Sequence, residues 1–225
     1  MSLVITLYQL VQSALDRARL AEGLAPLLLR LILAPVMLQA GWNKLAHFAD
    51  TVAWFEHGLG LPAPLLMATL AVGAELVGGV CLVLGFATRF AAVPLMVTML
   101  VAMTTVHWPH GWHAIADASS WLANERVATA AAYKREIVDI LRMHGDYERL
   151  TSAGPVTILN NGIEFAAIYF AMLLTLFFTG GGRYTSLDYW VGRRIAAVAE
   201  AQAMTPPAAS QRAQSAPSSR SAAAS

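Results

Sequence analysis

The chain has 225 residues, of which 57% are hydrophobic and 13% charged, whereas a soluble domain carries about 25% charged residues, so this is the composition of a membrane protein. The formal net charge of +1, with no basic patch interleaved with aromatics, excludes nucleic acid as a partner. The single cysteine, Cys81, excludes an intrachain disulfide and any Cys-x-x-Cys site. Redox chemistry would therefore need a bound cofactor, a quinone, a metal or a partner protein.

In chain order, Val4, Tyr8, Val11, Leu15 and Ala18 recur at helical spacing. Residues 1–23 are predicted as an amphipathic helix lying on the membrane surface. They do not read as a signal peptide, because Asp16, Arg17 and Arg19 precede a run of spanning length and no small-residue cleavage site follows. The first span is placed at 24–43. Arg30 lies six residues from its start, Pro35 predicts a kink, and Gln39, Asn43 and His47 form a polar stripe at the far end. Trp42 and Lys44 mark the interface. Glycines and prolines in HGLGLPAP break the chain before a second span at 62–86.

The third span is 88–107, with Pro94 as a second kink. HWPHGWH follows, and Trp108 and Trp112 are interfacial anchors. His107, His110 and His113 stand at i, i+3, i+6, which suits either a metal site or a polar, aromatic helix end. Residues 114–155 form a polar insertion in which Asn124 to His144 reads as an amphipathic helix stopped by Gly145. The fourth span is 160–180, with Tyr169 inside it. The 199–225 tail of Ala, Ser, Pro and Gln has too little hydrophobic bulk to fold and is expected to be disordered. The fold class is thus all-α: an integral membrane four-helix bundle over 24–190 with amphipathic flanking and loop helices.

Glu75 is the outstanding residue of this pattern. No Asp, Glu, Lys or Arg occurs in His57–Ala74 or in Leu76–Thr88, so the acid sits near the middle of a spanning helix. A charge there costs about 2.5–3.5 kcal/mol on insertion scales, so it must face protein, be paired or be protonated. Ala71, Glu75 and Gly79 share one stripe with Gly78 beside it, and these small residues let a neighbouring helix come close and cover the acid.

Counting depth at about 1.5 Å per residue puts Gln39 and Tyr169 level with Glu75, and Arg30 about 8 Å nearer one face. A buried polar network of Arg30, Gln39, Glu75 and Tyr169 is predicted. Nearer the opposite face, Asn43, Lys44, His107, Asn161 and Glu164 fall at one level. A quinone headgroup needs hydrogen-bond donors for its carbonyls and an acid–base group for its protons. Lys44 and His107 supply donors, Asn161 a positioning amide and Glu164 a proton carrier. Glu75, Glu164 and Lys44 are the candidate catalytic groups. Both sets also fit a plain network that ties helices together.

With four spans the termini share a side. Arg17, Arg19, Arg89, Arg183, Arg193 and Arg194 lie near the spans there, so the termini are expected in the cytoplasm. RLILAPVMLQAGWNKLAHF, GLGLPAP, AELVGGVCLVLGFATRFAA and NNGIEFAAIYFAMLLTLFFTGGGRYTSLD, in that order, resemble the DoxX family of small four-helix membrane proteins. The resemblance covers about Leu24 to Asp188 and gives weight to Gly41, Lys44, Glu75, Gly78, Gly79, Thr88, Arg89, Glu164 and the Ser186–Asp188 turn. It implies a bacterial inner-membrane protein in quinone-linked oxidoreduction or thiol and oxidative-stress defence, with soluble redox or sulfur-handling partners. Two alternatives stand beside it: a non-catalytic scaffold recruiting partners through 114–155 or the tail, and a small metal or solute carrier, which would need a homo-oligomer.

Overall fold

The computed structural model describes residues 2–204. Helix α1 (Ser2–Ala18) is followed by α2 (Leu24–Ala46), the short α3 (Phe48–Ala53), α4 (Pro64–Leu84) and α5 (Thr88–Val101). Beyond them come α6 (Glu125–His144), the single turn α7 (Tyr147–Leu150), α8 (Glu164–Thr179) and α9 (Leu187–Met204). Helix α5 runs on through a π-helical turn, Ala102–His107, and a tighter turn, Trp108–His110. No strand forms among the described residues. Their one β-type contact is an isolated antiparallel bridge between Ile115 and Leu159.

Three stretches are long and apolar enough to cross a membrane: Leu24–Ala46, Pro64–Leu84 and Thr88–His110. Helix α8 is apolar but has 16 residues, or about 24 Å of helix. Helices α2, α4, α5 and α8 pack as a closed, up-and-down ring, each against the next and α8 back against α2. The starts of α2 and α5 and the ends of α4 and α8 therefore share one end of the bundle, hereafter the Arg30 end. The inner layer is Leu33, Ala34 and Met37 of α2, Leu82 of α4, Ala92, Leu95 and Met99 of α5, and Leu173 and Leu176 of α8. Outward-facing Leu65, Leu70, Val77 and Val80 of α4 are about half exposed or more, the arrangement expected where lipid rather than water is the surround.

The α2–α4 seam is close because of its glycines. A Cβ on Gly79 would stand 2.7 Å from Leu38 Cγ, and one on Gly41 would stand 3.0 Å from Glu75 Cβ and 2.9 Å from Leu76 Cγ. The predicted small-residue stripe on α4 thus meets a reciprocal glycine on α2.

Two boundaries differ from expectation. Residues 160–163 do not start the fourth helix. Their backbone N–H groups bond to the carbonyls of Ala114, His113 and Gly111 instead, and Asn161 takes a left-handed φ of 60°. Residues 199–204, expected in the disordered tail, continue α9, a run of helix-favouring Ala, Glu, Gln and Met. The rest of that tail, 205–225, lies outside the described residues. In the insertion, α6 is capped by Asn124, whose side chain accepts from Val127 N, and it buries Val127 alone. It therefore stands beside the bundle rather than within it.

Candidate functional site

Glu75 lies eleven residues into α4, about 16 Å from its start, and its carboxylate is 4% exposed. Both oxygens are held by one donor: Lys44 Nζ stands 2.8 Å from Oε1 and 2.7 Å from Oε2. Lys44 belongs to the last turn of α2, at the far end of the bundle. Helical side chains lean toward the N-terminus of their helix. The lysine stem therefore runs down along α2 by about a turn, to the level of Gly41 and Glu75. Its own side chain keeps 26% of its surface exposed, so the ammonium joins a buried acid to a partly open flank. Thr51 of α3 donates to Lys44 O at 3.3 Å, and Phe55 just beyond α3 is buried. The segment after α2 folds back over this end of the seam.

Arg30 does not meet Glu75, contrary to the predicted network. Its guanidinium is buried at the opposite end of α4. Nε donates to Leu82 O at 2.7 Å, Nη2 to Val83 O at 3.1 Å, and Nη1 to the carbonyls of Gly181 and Thr185. The last carbonyls of a helix have no intrahelical donor, and this arginine supplies one. Gln39 also points elsewhere, donating to Asn43 Oδ1 at 2.8 Å on an exposed face of α2. The ring of Tyr169 packs against the core and stacks on Phe165 with centroids 6.2 Å apart. Of the four network residues, only Glu75 stands at the acid site, and its partner is Lys44.

The predicted mouth is brought together only in part: His107 meets Asn161, while Asn43, Lys44 and Glu164 have other partners. Glu164 Oε2 accepts from Ala114 N at 2.9 Å. His107 Nδ1 and His110 Nδ1 both lie against Asn161 O, at 2.8 and 3.1 Å. Asn43 and Lys44 are engaged on α2 and α4. Asn160, rather than Asn161, is the buried amide, 2% exposed. It donates to the carbonyls of His110 and His113 at 2.8 and 2.6 Å and accepts from Arg126 Nε at 3.1 Å. These bonds staple the 107–114 turn to the approach to α8. Two of the three histidines thus converge on one carbonyl rather than on a metal position, and among the described residues no group of three His, Cys, Asp or Glu could hold a metal. His113 is buried with Nε2 unpartnered among the described residues. Arg126 was missed in the sequence because it lies 34 residues from Asn160; the paired asparagines before Gly162 were the available signal.

The Arg30 end is closed by polar caps. Asp188, at the start of α9, accepts from Ala87 N at 2.6 Å and Thr88 N at 2.9 Å, capping α5 from outside. Ser186 Oγ bonds to Gly182 O at 2.6 Å. A cleft of about 520 Å³ lies here, lined by Glu22, Arg89, Phe90, Arg183 and Tyr189 among others. Another, of about 330 Å³, lies between α6 and Ile158–Asn160. Glu75 lines neither.

Fold and site together define an all-α membrane protein whose helix bundle carries an intramembrane acid–amine pair. Residues 25–108 match the DoxX family model, and the resemblance read from the motifs is shown over that stretch. It runs from α2 into the last turn of the extended α5 and contains Arg30, Lys44 and Glu75. No curated protein and no solved structure matches the chain.

Proposed function

We propose that the protein is a proton-handling membrane component of a quinone-linked redox or thiol-stress system in a bacterial inner membrane, with its Arg30 end and termini toward the cytoplasm. The carrying observation is the two-oxygen contact between Lys44 and Glu75 in the middle of a spanning helix. A quinone that takes two electrons from a partner redox protein also takes two protons. An acid paired with an amine offers both a proton donor and a proton acceptor at one place in the seam. The partly exposed Lys44 is the side from which a headgroup carbonyl would approach. His107 and Glu164, engaged with backbone groups, serve structure in this reading.

The test is titration of the purified protein with a quinone analogue. Saturable binding is expected, weakened about tenfold or more by Lys44→Ala and by Glu75→Gln and left unchanged by Glu164→Gln. No saturable binding, or equal binding in all variants, removes the reading.

A second reading, a scaffold for soluble partners, rests on the insertion. Trp121 is 91% exposed, and Tyr133, Ile137 and Ile140 of α6 are exposed on one side of a helix that buries little. Deleting 124–144 should then abolish capture of a partner while the bundle stays folded; retention of the partner would count against it.

A further inference from the structure

We propose that the exposed face of α2 carrying Gln39, Asn43 and His47 is the seam of a homodimer, where it meets the same face of a second copy. These residues recur every fourth position and are exposed, along with Pro35 one turn earlier. At about 100° per residue, Gln39 and Asn43 each lie some 200° around α2 from Gly41. The stripe therefore points away from the seam that holds Glu75.

Gln39 and Asn43 are the only amide side chains in α2, α4, α8 and the stretch Thr88–His110. One bond joins them, Gln39 Nε2 to Asn43 Oδ1 at 2.8 Å, and the His47 ring lies 3.2 Å from Asn43 O. The Gln39 carbonyl oxygen, its second N–H and the Asn43 amide nitrogen have no further partner among the described residues. Pro35 adds to the deficit, since it has no N–H to give to Leu31 O.

Depth makes this a requirement for a partner. Gln39 stands seven residues before the end of α2, about 10 Å below it and so within the hydrocarbon. Acyl chains offer neither donor nor acceptor, and an amide left bare there costs several kcal/mol. A lipid headgroup sits too high to reach Gln39. A quinone carbonyl only accepts and would leave the Gln39 oxygen unpaired. A second amide both donates and accepts. Copies of one chain insert with the same orientation, so a two-fold axis along the membrane normal sets Gln39 against Gln39 and Asn43 against Asn43. Leu28, Leu31 and Ile32, each about half exposed on the same helix, flank the stripe with apolar surface.

The experiment is single-molecule photobleaching of the labelled full chain in liposomes across a range of protein-to-lipid ratios. Dimers should form and dissociate on dilution. The double variant Gln39→Leu/Asn43→Leu should lower the association constant by about tenfold or more, given roughly 1–2 kcal/mol for interhelical polar contacts in membranes. It places leucines where lipid would otherwise meet amides, so the monomer should keep its thermal stability in detergent. Thr69→Ala, on the exposed face of α4 where Thr69 bonds its own Leu65 O, should leave association unchanged. Monomers at every ratio would overturn the proposal. So would dimers indifferent to the double variant, which would place the contact on another face, or monomers that lose quinone-analogue binding in the variant, which would make the stripe a ligand site.

Discussion

The bundle buries two charged side chains, Arg30 and Glu75, and satisfies them in opposite ways. Arg30 spends its donors on four backbone carbonyls drawn from the end of α4 and from the 181–185 turn. Every one of its partners is part of the chain's fixed framework. Glu75 depends on a single side chain, Lys44, that remains partly exposed. A charge tied to backbone has nowhere to go and serves the fold. A charge tied to one partly exposed amine rests on that single contact, which is what the proposed proton handling needs.

The comparison breaks first at Arg30. Replacing it with Met removes the donor shared by α4 and the 181–185 turn, and the expected loss is about 3–5 kcal/mol. At roughly 2–4 °C per kcal/mol for a chain of this size, that is a fall of about 6–20 °C in thermal unfolding in detergent. Arg30→Lys should not restore it, because one ammonium cannot fork toward carbonyls on two segments. Full stability in Arg30→Lys would put Arg30 in the same class as Glu75.

A smaller loss is expected at the acid pair. Lys44→Met leaves Glu75 without its counter-charge in the seam, but the carboxyl can take up a proton, so about 2–3 kcal/mol is expected. Glu75→Leu alone strands the amine, which can swing toward the headgroups, so about 1–2 kcal/mol is expected. The double variant should recover most of the loss, because an apolar pair of similar volume suits the seam. A double-mutant cycle measured by thermal unfolding would read the coupling directly. Additive effects would mean that the pair contributes nothing to the fold.

The caps come next. Asp188→Ala removes the carboxylate that accepts from two backbone amides at the start of α5, at an expected cost of about 1–2 kcal/mol in the same assay. Glu164→Gln keeps an oxygen for Ala114 N and should cost less than about 0.5 kcal/mol. A large effect there would return Glu164 to the list of charges that matter as charges.

Much of this arrangement was legible in the sequence. Three of the four spans, the buried acid and its small-residue stripe follow from hydropathy and from i, i+4 spacing, which report on one helix at a time. The partners of the charges were not legible, for a physical reason. Counting depth by Cα position set Lys44 at the mouth and Arg30 within reach of Glu75. Lysine and arginine act at the ends of long stems whose direction depends on helix polarity. Lys44 leans back toward its helix start and arrives at Glu75, while Arg30 leans the same way and arrives at the carbonyls of a helix running in the opposite sense. Asn160 was hidden by a different cause. Its partners, His110, His113 and Arg126, come from a turn and a helix joined to it only by long loops.

The smallest effect is expected at a third carboxylate, Asp117, outside the spans, which shows what Glu75 lacks. Ser119 donates to Asp117 Oδ1 through its hydroxyl at 2.6 Å and its backbone N–H at 2.9 Å. The hydroxyl first, and then the amide, hold the Asp117 carboxyl below its usual range. A lowered folded value means that the local turn is supported above the ordinary carboxylate range and loses that support as pH falls through the folded value, below about pH 4. Ser119→Ala should therefore move the Asp117 titration upward, toward the ordinary value, as followed by NMR of the side-chain carboxyl. Ser119→Thr, which keeps the hydroxyl, should not. Because both partners sit two residues away and water surrounds the group, the global unfolding temperature should stay put. An acid in water with local donors can lose one and be re-solvated at once. Glu75, whose one donor comes from another helix and whose own helix is flanked by lipid, has no such local substitute. If Ser119→Ala left the Asp117 titration in place, the local donors would not be what sets it, and the contrast with Glu75 would lose its control.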